Sequence, residues 1–186
     1  MRALIVYATR EGQTRRIAMR IADGLRAGNG DVDVYDARNI GAIDWSKYQA
    51  AVVAASVHVG RHEREIVDFA KKHRADLDRL SATFISVTLS EAGAEDPTRT
   101  EAERRQAADD VQKMIADFVK ATGWTPARTM PVAGALTYSK YNVLVRFIMK
   151  RIARKQGAPT DTSRDYEFTN WGALDRFAES IAATNP

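Results

Sequence analysis

Short apolar runs alternate with longer amphipathic segments along the chain. The runs contain mostly small and β-branched residues, a composition typical of strands that are covered on both faces. They occupy residues 3–7, 32–35, 50–54, 83–88 and 131–136. Because the segments between them are helical in pattern, the sequence predicts parallel strands with helices on both sides.

The intervening segments repeat apolar residues at the spacing of three to four that one face of a helix requires. A last helix is predicted from about Thr169, a residue type that caps helix N-termini. The predicted stripes are Ile17, Ile21 and Leu25, then Ile66, Phe69 and Ala70, then Val111, Met114, Ile115 and Phe118, and finally Trp171, Leu174, Phe177 and Ile181.

These elements predict an α/β fold of the flavodoxin-like type. It contains a five-stranded parallel sheet in the order 2-1-3-4-5 with helices on both faces, and its ligand lies beyond the carboxyl ends of the strands. A length of 186 residues suits a single domain, residues 1–186. Residues 138–168 follow the fifth strand as an extra, basic inserted segment.

The loop after the first predicted strand has the features of a phosphate site. A helix begins near its end, and the free N–H groups and positive dipole end of a helix attract anions. Glycine permits close approach of the backbone, and hydroxyls and a guanidinium add donors. The loop lacks both the Gly-Lys-Ser/Thr ending of a P-loop and the Gly-x-Gly-x-x-Gly fingerprint. An ordinary capped turn is the alternative. The candidate contacts are Thr9, Arg10, Glu11, Gly12, Gln13 and Thr14.

Two further segments follow the third and fourth predicted strands, where a planar ring bound at this edge would lie. Residues 55–61 and 87–93 each combine small polar residues with a glycine, which lets backbone amides reach ring heteroatoms. The candidate ring contacts are Ser56, Val57, His58, Val59 and Gly60 from the first segment, and Val87, Thr88, Leu89 and Ser90 from the second.

Several motifs spread over nearly the whole chain resemble one known family. They are Thr9-Arg10-x-Gly12-Gln13-Thr14-Arg15, Ala55-Ser56, Phe69-x-Lys71-Lys72-His73, Ser86-Val87, Ala133-Gly134-Ala135-Leu136-x-Tyr138-x-x-Tyr141, Asp161-Thr162 and Thr169-x-Trp171. The sequence resembles the menaquinone-dependent protoporphyrinogen oxidases, flavodoxin-like FMN enzymes of bacterial haem synthesis. The segment between Tyr138 and Trp171 matches the extra piece that separates these oxidases from short electron-carrier flavodoxins.

The resemblance implies that FMN binds with its phosphate at residues 9–14 and its ring near residues 56–60 and 87–90. It also implies oxidation of protoporphyrinogen IX, or of another small-molecule reductant, with electrons passing through the flavin to a membrane quinone. The family pattern has an Arg-Tyr pair where this chain has His58-Val59. A flavodoxin-like electron carrier or general quinone reductase, and a non-enzymatic module such as a membrane-surface adaptor, therefore stay open as alternatives.

The net charge of +4 comes from one local patch within residues 138–156, which contain six basic residues and no acidic ones. Residues 141–155 predict a helix with one apolar face. On the other side of the helix, apolar residues lie among basic ones, a pattern that suits contact with an anionic membrane surface. Alternatively, the same cations could bind the propionates of a tetrapyrrole. The candidate contacts are Val143, Arg146, Phe147, Lys150, Arg151 and Arg154.

Composition limits the kinds of redox and metal chemistry that the chain can carry out. The chain has no cysteine, so redox chemistry requires a bound cofactor. His58 and His62 are not part of a metal-binding motif, so no metal is predicted. His58 is instead a candidate to contact the flavin or to move a substrate proton. The sequence contains neither a membrane-spanning segment nor a nucleic-acid-binding surface. We therefore expect a cytoplasmic protein that binds peripherally to the inner face of the cell membrane. The sequence is also compatible with an oligomer.

Overall fold

A parallel sheet forms the centre of the computed structural model, which describes residues 1–80, 82–140 and 160–184. Its five parallel strands are β1 (Arg2–Ala8), β2 (Asp31–Asp36), β3 (Ala50–His58), β5 (Thr83–Thr88) and β6 (Arg128–Ala133). Their spatial order is β2-β1-β3-β5-β6. Counted along the chain, these strands follow the predicted order 2-1-3-4-5, which is confirmed.

Helices cover both faces of this sheet because alternate side chains of the strands β1, β3 and β5 pack into two separate apolar cores. One core includes Ile5 and the helices α1 (Gln13–Ala27) and α6 (Trp171–Thr184). The other includes Leu4 and the helices α2 (Arg64–Lys72), α3 (Arg74–Arg79) and α5 (Glu101–Thr122). The short helix α4 (Leu89–Glu95) begins directly at the carboxyl end of β5. Single 3-10 turns occupy Trp45–Lys47 and Tyr138–Lys140.

The third strand is longer than predicted. It continues past Ala54 to His58, turns, and returns as β4 (Arg61–His62), which pairs with it antiparallel. The fourth strand of the parallel set, β5, has the predicted bounds of 83–88.

The bounds predicted for the fifth strand, 131–136, are wrong at both ends. The observed strand, β6, begins at Arg128 and ends at Ala133. At Gly134 the N–H group donates to Thr88 O, whereas the carbonyl accepts from Phe168 N–H, so the chain leaves the parallel sheet. The next residues form β7 (Ala135–Leu136), which pairs antiparallel with β8 (Tyr166–Glu167) in a second, two-stranded sheet.

The predicted cap of the last helix is also wrong. Asn170 precedes α6, and its Oδ1 atom accepts a hydrogen bond from the N–H group of Ala173 at 3.0 Å. The Thr169 hydroxyl instead donates to Ala133 O at 2.7 Å. Thr169 therefore ties the chain to the end of β6, and Asn170 takes the role of the N-cap.

The predicted basic helix at 141–155 lies outside the described residues, together with its candidate contacts Val143, Arg146, Phe147, Lys150, Arg151 and Arg154. The described residues on either side of this segment are held together by the antiparallel pair of β7 and β8. Within residues 1–80, 82–140 and 160–184, no helix has the length and apolar character needed to cross a membrane.

Candidate functional site

The phosphate loop, residues 9–14, connects β1 to α1 at the carboxyl edge of the sheet. Gly12 occupies the N-cap position with φ 98°, a left-handed conformation that favours glycine. Its N–H group donates to the Thr9 hydroxyl at 3.0 Å, which tightens the loop. Within the described residues no side chain caps α1. The N–H groups of its first turn are therefore free to bind an anion.

Thr14 lies in the first turn of α1 and is fully buried. Its Oγ1 atom has no hydrogen-bond partner among the described residues. A buried hydroxyl without a partner costs free energy unless a ligand supplies the missing hydrogen bond. The uncapped helix start and this hydroxyl together fit a phosphate group.

Gln13 makes contacts that sequence reasoning did not anticipate. Its side-chain Nε2 atom donates to Glu167 Oε1 at 2.9 Å and to Thr169 Oγ1 at 2.8 Å. Its Oε1 atom accepts from Arg16 at 3.0 Å. The amide side chain thus joins the phosphate loop to the end of β8 and to Thr169 beyond it, and only the backbone of Gln13 remains for a ligand.

Arg10 reaches away from the loop toward a carboxylate that sequence reasoning missed. Its Nε atom lies 3.2 Å from Glu63 Oε2. The Glu63 side chain is only 3% exposed, and it also accepts a hydrogen bond from the Ser56 hydroxyl at 3.1 Å. Glu63 comes directly after β4, so the hairpin of β3 and β4 carries it back to the site. No local sequence signal marks this return.

His58, at the end of β3, lies between two carboxylates. Its Nε2 atom is 3.1 Å from Glu11 Oε2 and 3.2 Å from Glu63 Oε1. These are ion-pair distances, although the buried Nε2 atom makes no hydrogen bond of acceptable geometry with a described residue. The structure thus brings together three site candidates, Arg10, Glu11 and His58, around the unpredicted Glu63.

The turn between β3 and β4 consists of only two residues, so most of the predicted loop at 55–61 is strand. Val59 and Gly60 both have positive φ angles, 49° and 73°. This combination matches the tight hairpin turns in which both central residues are left-handed. Val59 is 89% exposed, which places an apolar side chain at the tip of the turn.

The second predicted loop is the end of β5 followed by the start of α4. The Thr88 hydroxyl accepts from Ser90 N–H at 3.1 Å and caps this helix. Val87, Thr88 and Ser90 are buried. Leu89 is partly buried and packs against an apolar cluster formed by Leu136, Tyr138, Tyr166 and Phe168.

This cluster contains aromatic side chains, whereas the candidate ring contacts at 56–60 and 87–90 include no Phe, Tyr or Trp. Tyr138 and Tyr166 pack edge to face with ring centroids 6.4 Å apart. The adjacent Thr137 hydroxyl is buried without a hydrogen-bond partner in the described chain. The missed aromatic residues lie on the short strands β7 and β8, or directly beside them.

Burial changes the titration of two further groups. It lowers the pKa of His62 to about 4. The His62 Nε2 atom lies 2.9 Å from Ser86 Oγ, away from the surroundings of His58. Burial, with a smaller contribution from Glu95, raises the pKa of Glu91 to about 7. Within the described ranges, no group of three His, Cys, Asp or Glu side chains is arranged to hold a metal ion.

The strand order defines a flavodoxin-like α/β protein, and the uncapped start of α1 lies at the carboxyl edge of its sheet. Comparison with known proteins agrees with this class. The model of the flavodoxin domain family matches residues 4–163. A flavodoxin from Streptococcus pneumonia TIGR4 has the same fold, with a TM-score of 0.51, 19% identity and coverage of 99% of each chain.

Two curated relatives share a more specific name, protoporphyrinogen IX dehydrogenase [quinone]. The protein from Escherichia coli (strain K12) is 32% identical, over 98% of this chain and 95% of its own length. The protein from Leishmania major is 27% identical, over 98% of this chain and 75% of its own length. The chain belongs to the flavodoxin domain family and, within it, to the family of these quinone-dependent protoporphyrinogen IX dehydrogenases.

Proposed function

We propose that this protein is an FMN-dependent oxidoreductase that oxidises protoporphyrinogen IX to protoporphyrin IX, with a membrane quinone as electron acceptor. The observation that carries the substrate is the 32% identity over 98% of the chain to a relative with that name. The partnerless hydroxyl of Thr14 at the uncapped start of α1 supports the cofactor.

The proposed FMN phosphate binds at the first turn of α1. Its donors are the hydroxyls of Thr9 and Thr14 and the backbone N–H groups of residues 11, 13 and 14, since the N–H group of Gly12 already donates to Thr9. Bound FMN would supply the electron transfer between substrate and quinone, for which the chain has no thiol of its own. The protein holds the phosphate, excludes water from the ring and orients one ring edge.

We place the ring between the β3–β4 turn and the start of α4. The candidate contacts on one side are Val57, His58, Val59 and Gly60, and those on the other side are Leu89 and Ser90. Both segments lie at the carboxyl edge of neighbouring strands, since β3 pairs with β5 up to Ser56 and Val87. The cluster around Tyr138 borders Leu89 and is a candidate wall for the substrate.

The basic segment beyond Tyr138 is the proposed contact with the membrane, where a lipid-soluble quinone must be met. Reversing its charges with Arg146→Glu, Lys150→Glu and Arg154→Glu is expected to weaken co-sedimentation with vesicles containing anionic lipid, because each cation near such a surface contributes roughly 1 kcal/mol. A control with the exposed residues changed as Lys71→Glu, Lys72→Glu and Arg105→Glu has the same net charge. Equal loss in both variants, or no loss, contradicts this contact.

Reconstitution with FMN tests the function directly. Purified protein should take up FMN with a visible flavin spectrum and convert protoporphyrinogen to fluorescent protoporphyrin when a quinone is supplied. FMN-loaded protein that reduces simple quinones with NADPH but leaves the porphyrinogen unoxidised would identify the electron carrier or general quinone reductase instead. A protein that stays colourless after FMN addition would overturn the flavin assignment altogether.

A further inference from the structure

The amide side chain of Gln13, the first residue of α1, is held by three other side chains. Its Nε2 atom donates to Glu167 Oε1 at 2.9 Å and to Thr169 Oγ1 at 2.8 Å. Its Oε1 atom accepts from Arg16 Nη1 at 3.0 Å. Gln13 is also buried. Both N–H bonds of the amide are therefore used within the protein, away from water.

The partners of this amide fix its orientation. The Thr169 hydroxyl donates its hydrogen to Ala133 O at 2.7 Å, so toward Gln13 it acts as an acceptor. The carboxylate of Glu167 is also an acceptor. The opposite orientation of the amide would place its carbonyl oxygen against these two acceptors. The contacts therefore allow one arrangement, in which Gln13 is tied to β8 and, through Thr169, to the end of β6.

Arg16 closes these contacts into a ring. Its Nη1 atom lies 3.0 Å from Gln13 Oε1 and 3.2 Å from Glu167 Oε2. Its guanidinium carbon also lies 5.2 Å from the centroid of the Trp171 ring, a cation–π distance. We call Gln13, Arg16, Glu167 and Thr169 the Gln13 network. It joins the first turn of α1 to β8 and to the start of α6.

The first turn of α1 lacks the usual means of stabilising a helix start. Its N-cap is Gly12, which has no side chain, and among the described residues no other side chain caps the helix. Helix ends fray where their backbone groups have no partners. The N–H groups of Gln13 and Thr14 must nevertheless keep one direction to bind the phosphate proposed above. The Gln13 network holds this turn from its side-chain end and leaves those N–H groups free.

We propose that Glu167 and Thr169 position the first turn of α1 for the cofactor phosphate, acting through the side chain of Gln13. The inference rests on the proposed FMN binding and adds two positioning residues to it. They lie 154 and 156 positions from Gln13, at the end of the extra segment 138–168 and directly after it. This end of the extra segment thus contributes to the cofactor site. Donors that are already ordered reduce the entropy that binding must cost.

Titrations of flavin fluorescence with FMN and with riboflavin test the proposal. Thr169→Val removes the hydroxyl and keeps the size of the side chain, whereas Thr169→Ser keeps the hydroxyl. Gln13→Leu removes the amide. The matched control is Asp175→Ala, which breaks an ion pair of 2.7 Å between Arg20 of α1 and Asp175 of α6, one turn beyond the Gln13 network. Riboflavin has no phosphate, and none of the substituted residues is a candidate ring contact.

Thr169→Val should bind FMN roughly five- to tenfold more weakly than the parent, because binding must then order the first turn of α1. Its riboflavin affinity should stay the same, and Thr169→Ser should bind FMN like the parent. In the Gln13→Leu background, Thr169→Val should cause no further loss, since its effect passes through the amide. Asp175→Ala should leave FMN affinity unchanged.

Glu167→Ala is a second variant, at a surface position where folding should tolerate the change. Removal of a carboxylate near an anion strengthens binding through charge alone. The positioning role predicts the opposite, a several-fold loss of FMN affinity with riboflavin affinity unchanged. The sign of the change therefore distinguishes the two effects, even if Thr169→Val does not fold.

The outcomes separate this inference from the proposed function. If the parent binds no FMN, the proposed function fails, and the inference fails with it. If the parent binds FMN, but Thr169→Val and Glu167→Ala bind it equally well or more tightly, only the positioning role is overturned. Equal losses of FMN and riboflavin affinity would show a general loosening of the fold and would overturn it too. A full additional loss from Thr169→Val in the Gln13→Leu background would exclude action through Gln13.

Discussion

At the scale of a single residue, the Thr14 hydroxyl is expected to favour FMN binding and to lower the stability of the FMN-free protein. Its buried hydroxyl has no partner in the described chain, so it costs stability in the FMN-free protein. Thr14→Val keeps the shape of the side chain and removes the polar atom. We expect the free energy of unfolding of the FMN-free protein to rise by about 1 kcal/mol, while FMN affinity falls about tenfold or more. Urea unfolding and fluorescence titration measure the two effects.

Thr122 provides the matched control for this substitution. Its hydroxyl is also buried, but it donates to the carbonyl oxygen of Phe118 at 2.9 Å. Thr122→Val should therefore lower the free energy of unfolding and leave FMN affinity unchanged. If Thr14→Val behaves like Thr122→Val in both measurements, the hydroxyl of Thr14 does not serve the phosphate.

The geometry of the loop at 9–14 could be predicted from the sequence because its features are local. A strand, a glycine and a helix start follow one another within a few residues, and Thr14 and Gly12 needed no knowledge of distant contacts. The side chain of Gln13, by contrast, bonds to residues 154 and 156 positions away. The position of Glu63 at the site could not be predicted for a related reason, since the tight turn at Val59 and Gly60 brings it back to His58.

At the scale of elements, α1 and α6 pack at very close range. A β-carbon added at Gly24 of α1 would lie 2.8 Å from the β-carbon of Ala178 on α6. Alanine is the better helix former by about 1 kcal/mol, but overpacking a tight contact costs about 1–3 kcal/mol. We expect Gly24→Ala to lower the free energy of unfolding by about 1 kcal/mol, or roughly 3 °C in Tm.

Two further variants test whether the contact itself is the cause. Adding Ala178→Gly to Gly24→Ala should recover much of the loss, because the space is restored from the other helix. Gly172→Ala, also in α6, meets only ordinary contacts of 3.5 Å and 3.7 Å and should not destabilise the protein. A Gly24→Ala protein that is as stable as the parent would show that the two helices separate without cost.

The elements that sequence reasoning found are those with a repeated pattern. The stripes of α1 and α5 and the apolar runs of β1 and β5 each extend over several residues and bury their own cores. The short strands β4, β7 and β8 have two residues each, too few for any periodicity. Their pairing depends on turns and on Gly134, whose N–H and C=O groups bond to different partners.

At the scale of the whole molecule, buried polar atoms without partners concentrate at one edge of the sheet. Among the described residues these atoms belong to Thr14, His58, Thr137 and Trp124. The first three lie at or beyond the carboxyl ends of strands, whereas Trp124 precedes β6 and lies in the core. Because buried polar groups normally have hydrogen-bond partners, the three atoms at the carboxyl edge are the ones in the described part of the chain that fit a ligand bound there.

The buried His62 and the partly buried Glu91 make opposite contributions to the dependence of stability on pH. Burial lowers the pKa of His62 from 6.5 to about 4, so between these values the unfolded chain binds a proton that the folded protein does not. Stability from His62 is therefore lost as pH falls through this window. Burial raises the pKa of Glu91 from 4.5 to about 7, so here the folded protein holds the extra proton. Stability from Glu91 is lost as pH rises.

The windows of His62 and Glu91 overlap between about pH 4.5 and 6.5, where each contributes up to about 1.4 kcal/mol per pH unit with opposite sign. In the FMN-free protein the two slopes should partly cancel, because water screens some of the contribution of the partly buried Glu91. Between pH 5 and pH 6, Glu91→Gln should make the free energy of unfolding rise by roughly 0.5 kcal/mol more than in the parent, and His62→Gln should make it rise by about 1 kcal/mol less. Urea unfolding at the two pH values measures both differences, and the other titrating groups, such as His73, cancel in the comparison. Parallel profiles for the parent and both variants would mean that neither group keeps its shifted pKa in solution.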